Sequence, residues 1–335
     1  MVTVLGAGSW GTALALLLAE GRPEVRLWDR TPGQIEALAS DRENRRYLPG
    51  YPLPDPIAPT SDLAAAVGDS ACVVVAVPTG AVRAVLTLAA PHLRPGADLV
   101  LAAKGLESDT GLLPAEVAES LVAAGAAHAG AAHAVTALSG PNLATEVARG
   151  VPTAAVAACP DPEAARRVAA LFNRPSFRVY TSDDRTGVEM GGALKNVLAI
   201  AGGVSDGLGF GDNTKAALLT RGLAEMARLG VAVGARRETF YGLAGVGDLI
   251  ATASSRLSRN WRVGEGVAKG EPLDAILQRL GQVAEGVSTA KAVASLSAKV
   301  GVEMPVCAAV ARLLFEGASP ADEVAALMAR PMKQE

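Results

Sequence analysis

Cysteine and histidine are both scarce in this chain. Three cysteines in 335 residues, Cys72, Cys159 and Cys307, are far apart and share no CxxC spacing. They sit among apolar or small residues, which predicts buried free thiols of a reducing compartment and excludes a disulfide framework or cysteine metal site. The three histidines, His92, His128 and His133, stand outside any polar constellation. Acid–base chemistry is therefore expected from another residue type, and no metal is expected. No apolar run reaches the roughly 18–20 residues of a bilayer span without Gly, Pro or charge interrupting it. The chain opens directly on a strand pattern, MVTVLGAG, with no basic segment or cleavage site before it, so a cytoplasmic protein is expected. A net charge of −3 and no long basic stripe give no reason to propose nucleic acid as a partner. What remains is a globular composition, 50% hydrophobic and 19% charged, long enough for two domains with full cores.

The first apolar run leads straight into Gly6-Ala7-Gly8-Ser9-Trp10-Gly11, and a helical pattern follows through Glu20. This is G-x-G-x-x-G with a strand before it and a helix after it, the context a dinucleotide fingerprint requires. Gly6 permits the tight turn, Gly8 admits a pyrophosphate, and Gly11 lets the helix pack on the strand. The helix N-terminus then offers N–H groups and partial positive charge to the phosphates. A second strand is expected over 25–29, with Asp29 lying 18 positions after Gly11. An acid at that strand end suits the ribose hydroxyls of NAD, whereas Arg30 beside it suits the 2′-phosphate of NADP. The pair suggests that either cofactor is used, with NADP accepted.

Residues 45–60 carry five prolines and are expected to form a connection wrapping the surface rather than a helix or central strand. Strand–helix alternation then resumes, with strands expected at 71–77, 99–103, 133–138, 153–158 and 177–181. Helices are expected at 81–90, 142–149 (capped) and 162–172, and the alanine-rich stretch 122–134 fits helix and loop. Apolar strands alternating with helices predict an α/β fold with a doubly wound, mostly parallel sheet of Rossmann type. Gly6–Gly11, Arg30, Pro78, Lys104 and Ser139–Asn142 all fall at predicted carboxyl ends of strands, where such sheets bind ligands.

Beyond about residue 181 the strand pattern stops, so the domains are expected at 1–181 and 182–335, the second all-α. Helices are expected over 185–204, 214–229, 235–243, 273–280, 288–300, 306–315 and 322–329, with an irregular Gly/Ser-rich piece after 243. In GVEMGGALKNVLAIAGGVSDGLGFGDNTK (187–215), Lys195 is the only cation between Arg185 and Lys215. Gly191 and Gly192 share its helical face, and Gly202 lies two turns on. Glycines in a helix cost roughly 1 kcal/mol each against alanine, so a backbone or a ligand must approach this face closely. A lysine in apolar surroundings is usable as a proton donor or acceptor near neutral pH. The alternative is a lysine that snorkels to solvent while the glycines admit a neighbouring helix. Further polar clusters are GLAGVGD with Asp248, Ser258-Arg259-Asn260 in a turn-like or helix-capping setting, and AEGVST with Glu285.

The segments LGAGSWGTALA, NRRYLPG, KGLE, SGPNLATE, GVEMGGALKNVLAIAGGVSDGLGFGDN, GLAGVGDLIAT, SRN and VAEGVSTA stand in the order found in NAD(P)-dependent sn-glycerol-3-phosphate dehydrogenases. The chain resembles that family from about residue 2 to 307. The resemblance implies reversible reduction of dihydroxyacetone phosphate to sn-glycerol 3-phosphate with NADPH or NADH, supplying glycerophospholipid synthesis. It implies Lys195 as the proton acceptor. Asp248, Ser258, Arg259, Asn260, Gly140 and Asn142 are then substrate-side contacts, and Lys104 contacts both substrate and cofactor. Ser9, Trp10, Arg30, Ala144, Val283, Glu285 and Arg259 are the implied cofactor contacts, beside Gly6, Gly8 and Gly11. The chain departs from the family at Asn142, where Ser or Thr is common after Gly-Pro.

In this scheme Asp248 orients the lysine or holds a substrate hydroxyl, and Arg259 grips the phosphate with Ser258 and Asn260. Asn196 and Thr252 are lesser candidates for orienting hydrogen bonds. A homodimer is expected, because the glycine-rich helical part has ample apolar surface. Two other readings stand beside this one. A 3-hydroxyacid dehydrogenase of similar architecture would use a helix lysine but need no Ser258-Arg259-Asn260, and a nicotinamide-binding regulator would perform no turnover.

Overall fold

The computed structural model describes residues 1–22, 24–124 and 133–330. His128 and most of the alanine-rich stretch lie outside the described residues. The chain divides into two compact units. The first comprises residues 1–104 and 112–189, and the second residues 105–111 and 190–335.

Among its described residues the first unit has ten strands: β1 (Val2–Leu5), β2 (Val25–Trp28), β3 (Glu43–Asn44), β4 (Leu48–Pro52), β5 (Ile57–Thr60), β6 (Cys72–Val75), β7 (Asp98–Leu101), β8 (Val135–Ser139), β9 (Thr153–Ala158) and β10 (Phe177–Ser182). Eight of them form one sheet in the order β10-β9-β8-β7-β6-β1-β2-β5, and β3 and β4 form a separate antiparallel pair. From β5 to β8 every neighbouring pair is parallel, while β8 and β9 are antiparallel. Alternate residues of each strand serve opposite faces. Val2 and Val4 join a core with helix Ser9–Ala19 and helix Pro162–Phe172, and Leu5, Val73 and Val75 join another with helix Thr79–Ala89 and helix Pro114–Ala124. Apolar residues on both faces explain why these strands read as continuous hydrophobic runs.

The strand order reverses at β1, where β2 lies on one side and β6 on the other. Such a switch point opens a crevice at the carboxyl ends of the strands. Because β1, β2, β6, β7 and β8 run parallel, the glycine loop, Arg30, Pro78, Lys104 and Ser139 all end at the same edge of the sheet.

The proline-dense segment departs from expectation by contributing β4 and β5. Strand β5 lies at the sheet edge, with Pro59 opposite Leu27. An edge strand tolerates proline because one side of its backbone has no ladder to complete. Helices Pro32–Asp41, Leu63–Val67 and Pro114–Ala124 were not anticipated. The helix expected over 142–149 is only Ala144–Ala148, with Leu143 at its N-cap and no side-chain cap.

The second unit is helical. Helix Arg185–Gly207 begins in the last residues of the first unit and continues in the second, and it is buried at every position from 187 to 205, as expected of a helix without a solvent stripe. The helix expected over 235–243 is instead a 3₁₀ turn, Arg237–Tyr241, followed by a π-helical turn, Leu243–Gly247. A Cβ on Gly245 would lie 2.1 Å from the Phe240 carbonyl oxygen, so this tight path needs glycine. The piece expected to be irregular contains helices Asp248–Ala253 and Arg259–Ala268. Its glycines mark close packing rather than disorder of the helix: a Cβ on Gly264 would meet the Ile200 carbonyl oxygen at 2.0 Å. The helix expected from 288 begins at Glu285, so AEGVST supplies its first turn.

Candidate active site

In the first unit the three fingerprint glycines occupy three different environments. Gly6 has φ +109°, and a Cβ there would lie 2.9 Å from Val77 Cγ1. A Cβ on Gly11 would lie 1.9 Å from the Gly6 carbonyl oxygen, so helix Ser9–Ala19 sits on the loop with no room for a side chain. At Gly8 a Cβ would meet nothing within 4 Å. This open face beside a helix N-terminus fits a pyrophosphate. The Trp10 indole N–H is buried without an acceptor among the described residues, a donor that a bound group can satisfy.

Asp29 does not stand free for a ribose. Its Oδ2 accepts from the Ala7 N–H at 3.2 Å and its Oδ1 from the Thr31 N–H at 3.0 Å. Arg30 is exposed at the end of β2. Ser9 donates its hydroxyl to the Tyr47 carbonyl at 2.7 Å. Lys104 follows β7 and donates to the Gly140 carbonyl at 2.8 Å, joining the loops after β7 and β8. Gly140 has φ +144°, and a Cβ there would lie 2.9 Å from the Ala154 carbonyl oxygen, so glycine is required. Asn142 donates its amide to that same oxygen at 3.0 Å, leaving its Oδ1 buried without a donor among the described residues. Ala144 starts the short helix that packs on the core beside helix Ser9–Ala19.

In the second unit Lys195 does not snorkel. It is 6% exposed, and Asp248 is 2% exposed. Its ammonium donates to Asp248 Oδ1 at 2.9 Å and to Thr252 Oγ1 at 2.7 Å. Thr252 in turn donates to Asp248 Oδ1 at 3.0 Å, closing a three-membered cluster. Asp248 and Thr252 are one turn apart on helix Asp248–Ala253 and so share a face. The glycines around Lys195 admit backbone: a Cβ on Gly191 would lie 2.6 Å from the Ala244 carbonyl oxygen, and one on Gly202 would lie 3.3 Å from the Ala253 carbonyl oxygen. Close approach brings the π turn and the helix after it against the lysine face.

Asn196 belongs to a second buried network. Its Nδ2 donates to the Gly192 carbonyl at 3.2 Å, and its Oδ1 accepts from Asn260 Nδ2 at 2.8 Å. Asn260 Oδ1 accepts from the Gly286 N–H at 2.9 Å, linking the SRN and AEGVST motifs. Ser258 is the N-cap of helix Arg259–Ala268 and accepts from the Trp261 N–H at 3.2 Å. Arg259, half-buried, is the first residue of that helix. Burial pulls its guanidinium below the ordinary arginine value, and the nearby Glu285 carboxylate opposes that shift. Glu285 opens helix Glu285–Val300, and Val283 before it is exposed.

Cys72, Cys159 and Cys307 are buried free thiols, and burial raises Cys72 to about 12. His133 Nδ1 lies 3.0 Å from the Ala97 carbonyl oxygen. Among the described residues, no group of three or more His, Cys, Asp or Glu side chains could hold a metal ion. No helix of the described residues is long and apolar enough to cross a membrane.

A Rossmann-type sheet with an open glycine loop, joined in one chain to a helical unit with a buried lysine–carboxylate pair, defines the class of two-unit nicotinamide-dependent dehydrogenases. Comparison with known proteins narrows the class. The profile for the NAD-dependent glycerol-3-phosphate dehydrogenase N-terminus matches residues 1–165, and that for the C-terminus matches residues 184–325. The glycerol-3-phosphate dehydrogenase [NAD(P)+] of Thioalkalivibrio sulfidiphilus is 49% identical over 335 residues, covering 100% of this chain and 98% of that one. That of Geobacillus kaustophilus is 49% identical over 336 residues, covering 100% and 96%. The crystal structure of glycerol-3-phosphate dehydrogenase from Coxiella burnetii superposes with a TM-score of 0.93 at 38% identity, covering 98% of each chain. The chain belongs to the NAD-dependent glycerol-3-phosphate dehydrogenase family.

Proposed function

We propose that the protein catalyses the NAD(P)H-dependent, reversible reduction of dihydroxyacetone phosphate to sn-glycerol 3-phosphate, with Lys195 as proton donor and acceptor. The buried Lys195–Asp248–Thr252 cluster carries this reading. It holds one ammonium by two hydrogen bonds in a site where a carbonyl oxygen gaining negative charge needs a proton. When bound, the reduced nicotinamide supplies the hydride. Asp248 and Thr252 orient the lysine. Arg259 grips the substrate phosphate with its planar fork, beside Ser258 and Asn260. Lys104, Gly140 and Asn142 serve the reacting end of the substrate.

Residues 1–181 act as the nucleotide-binding part and 182–335 as the substrate and catalytic part. Gly6, Gly8, Ser9, Trp10, Gly11, Arg30 and Ala144 hold the cofactor, with Lys104, Arg259, Val283 and Glu285 completing its contacts. The exposed Arg30 supports acceptance of NADP as well as NAD. The product feeds glycerophospholipid synthesis in the cytoplasm. A homodimer is the proposed assembly. A groove of about 1140 Å³ in the helical unit is lined by Phe210, Leu218, Val231, Val310, Leu327 and Met328. Arginines and glutamates such as Arg228 and Glu303 also line it, a mixed-sign surface suited to a second copy in isologous contact. Light scattering on the purified protein tests this, and a monomer at high concentration rejects it.

The activity is tested by following NADPH and NADH absorbance with dihydroxyacetone phosphate, using dihydroxyacetone and 3-oxo acids as controls. Oxidation with the phosphorylated ketone alone is the expected result. Turnover of the oxo acids, or of unphosphorylated dihydroxyacetone at the same rate, refutes the substrate assignment.

A further inference from the structure

We infer that Asn44, which has no place in the site described above, is a positioning residue that sets the phosphate-binding loop. Asn44 lies in β3 and is fully buried at 0% exposure. Its Nδ2 donates to the Ala7 carbonyl at 2.8 Å and to Thr12 Oγ1 at 2.7 Å. Its Oδ1 accepts from Gln34 Nε2 at 3.1 Å and from the Tyr47 N–H at 3.2 Å. Both donors and both acceptor positions of the amide are used.

The consequence lies in the direction of one N–H. The Ala7 N–H is held by Asp29, and the Ala7 carbonyl is held by Asn44. The peptide planes on either side of Ala7 are therefore each fixed by a side chain. In a planar trans peptide the C=O and N–H point in opposite directions. Turning the Ala7 carbonyl toward Asn44 turns the Gly8 N–H away from it, at the glycine whose side-chain position is open space. The neighbouring hairpin adds a second tie, because Tyr47 both donates its N–H to Asn44 and accepts the Ser9 hydroxyl. Thus NRRYLPG, distant from the fingerprint in the chain, fixes its loop at Ala7, Ser9 and Thr12 before a dinucleotide arrives. Preorganised donors lower the ordering cost of binding an anion. An aspartate at 44 would lose both donors, and a leucine would leave the Ala7 carbonyl buried and unpaired.

The inference rests on the nucleotide-binding reading of the loop, and its test separates the two. NADPH affinity is measured by fluorescence titration for wild type, Asn44→Ala, Asn44→Ser and the control Leu48→Ala. Leu48 is fully buried in the same hairpin, and its side chain packs in the core. The dissociation constant of Asn44→Ala is expected to rise about tenfold or more. Its kcat at saturating NADPH and its KM for dihydroxyacetone phosphate should stay within about twofold of wild type. Asn44→Ser, which keeps one donor, should fall between the two, and it carries the test if the alanine variant does not fold. Leu48→Ala should lower Tm without moving the dissociation constant. Unchanged affinity in the Asn44 variants, or equal weakening in Leu48→Ala, overturns the inference. A wild type that binds neither NADPH nor NADH overturns the cofactor reading and this inference with it.

Discussion

Lys195→Met separates the chemical role of the lysine from its structural one. The substitution removes the proton source and leaves the Asp248 carboxylate, 2% exposed, without its cation. Breaking a buried ion pair from one side costs about 3–5 kcal/mol. For a unit of this size each kcal/mol lowers Tm by roughly 2–4 °C, so a fall on the order of 10 °C is expected by circular dichroism. Loss of general acid–base function adds a roughly 10²–10⁴-fold fall in kcat, read from NADPH oxidation at saturating dihydroxyacetone phosphate. The double variant Lys195→Met/Asp248→Leu tells the two effects apart. Replacing a buried pair by apolar groups of similar volume is often neutral or stabilising, so most of the lost Tm should return. Turnover should not return with it. NADPH affinity should remain near wild type in Lys195→Met, since the fingerprint loop is intact. A kcat within about tenfold of wild type in Lys195→Met would falsify the proton-transfer role. Recovery of kcat together with Tm in the double variant would show that the single substitution had acted through the fold alone.

Gly8→Ala should fold as wild type, because its Cβ meets nothing within 4 Å, yet bind NADPH more weakly. Gly11→Ala places a Cβ 1.9 Å from the Gly6 carbonyl oxygen and should lose about 1–3 kcal/mol or more of stability in a denaturant titration. Equal behaviour of the two variants would refute the division of roles. Arg259→Lys should raise the KM for dihydroxyacetone phosphate about tenfold through loss of the fork, and an unchanged KM removes Arg259 from the phosphate. Glu189 predicts a pH effect. It is buried and accepts from the Ala115 N–H at 2.9 Å, and burial raises its pKa from 4.5 to about 8. An acid with a raised native pKa holds its proton more tightly when folded. Its contribution to stability is therefore fully present below pH 4.5 and lost as pH rises to about 8. Glu189→Gln should gain stability over wild type across that window, on the order of a few kcal/mol, read as a Tm difference that grows with pH, and a pH-independent difference refutes the assignment.

Much of the fold was legible in the chain because its signals are local. The glycine spacing after an apolar run, the strand lengths and the helix Pro162–Phe172 each depend on neighbours a few residues away. The five carboxyl-end loops also emerged correctly, since parallel strands joined by helices place successive loops at one edge. Where expectation failed, a local signal had two meanings. Proline marked an edge strand at β5 as well as a connection, and glycines at 242–264 marked close backbone packing as well as irregular chain. Asn44 entered the sequence reading only as part of NRRYLPG and without a role, because its partners Ala7 and Thr12 lie 37 and 32 positions away.

The sequence alone determined that Lys195 lies on an apolar, glycine-bearing helix and that a dinucleotide loop precedes it, because periodicity and spacing are properties of the chain. Only the tertiary structure decided what the lysine touches. Asp248 and Thr252 are 53 and 57 positions distant, and a glycine states that something comes close without stating what. The close approach at Gly191 and Gly202 brings that particular carboxylate and hydroxyl to the ammonium. Burial then makes the pairing obligatory, since a charge removed from water needs a partner that the chain supplies only when folded.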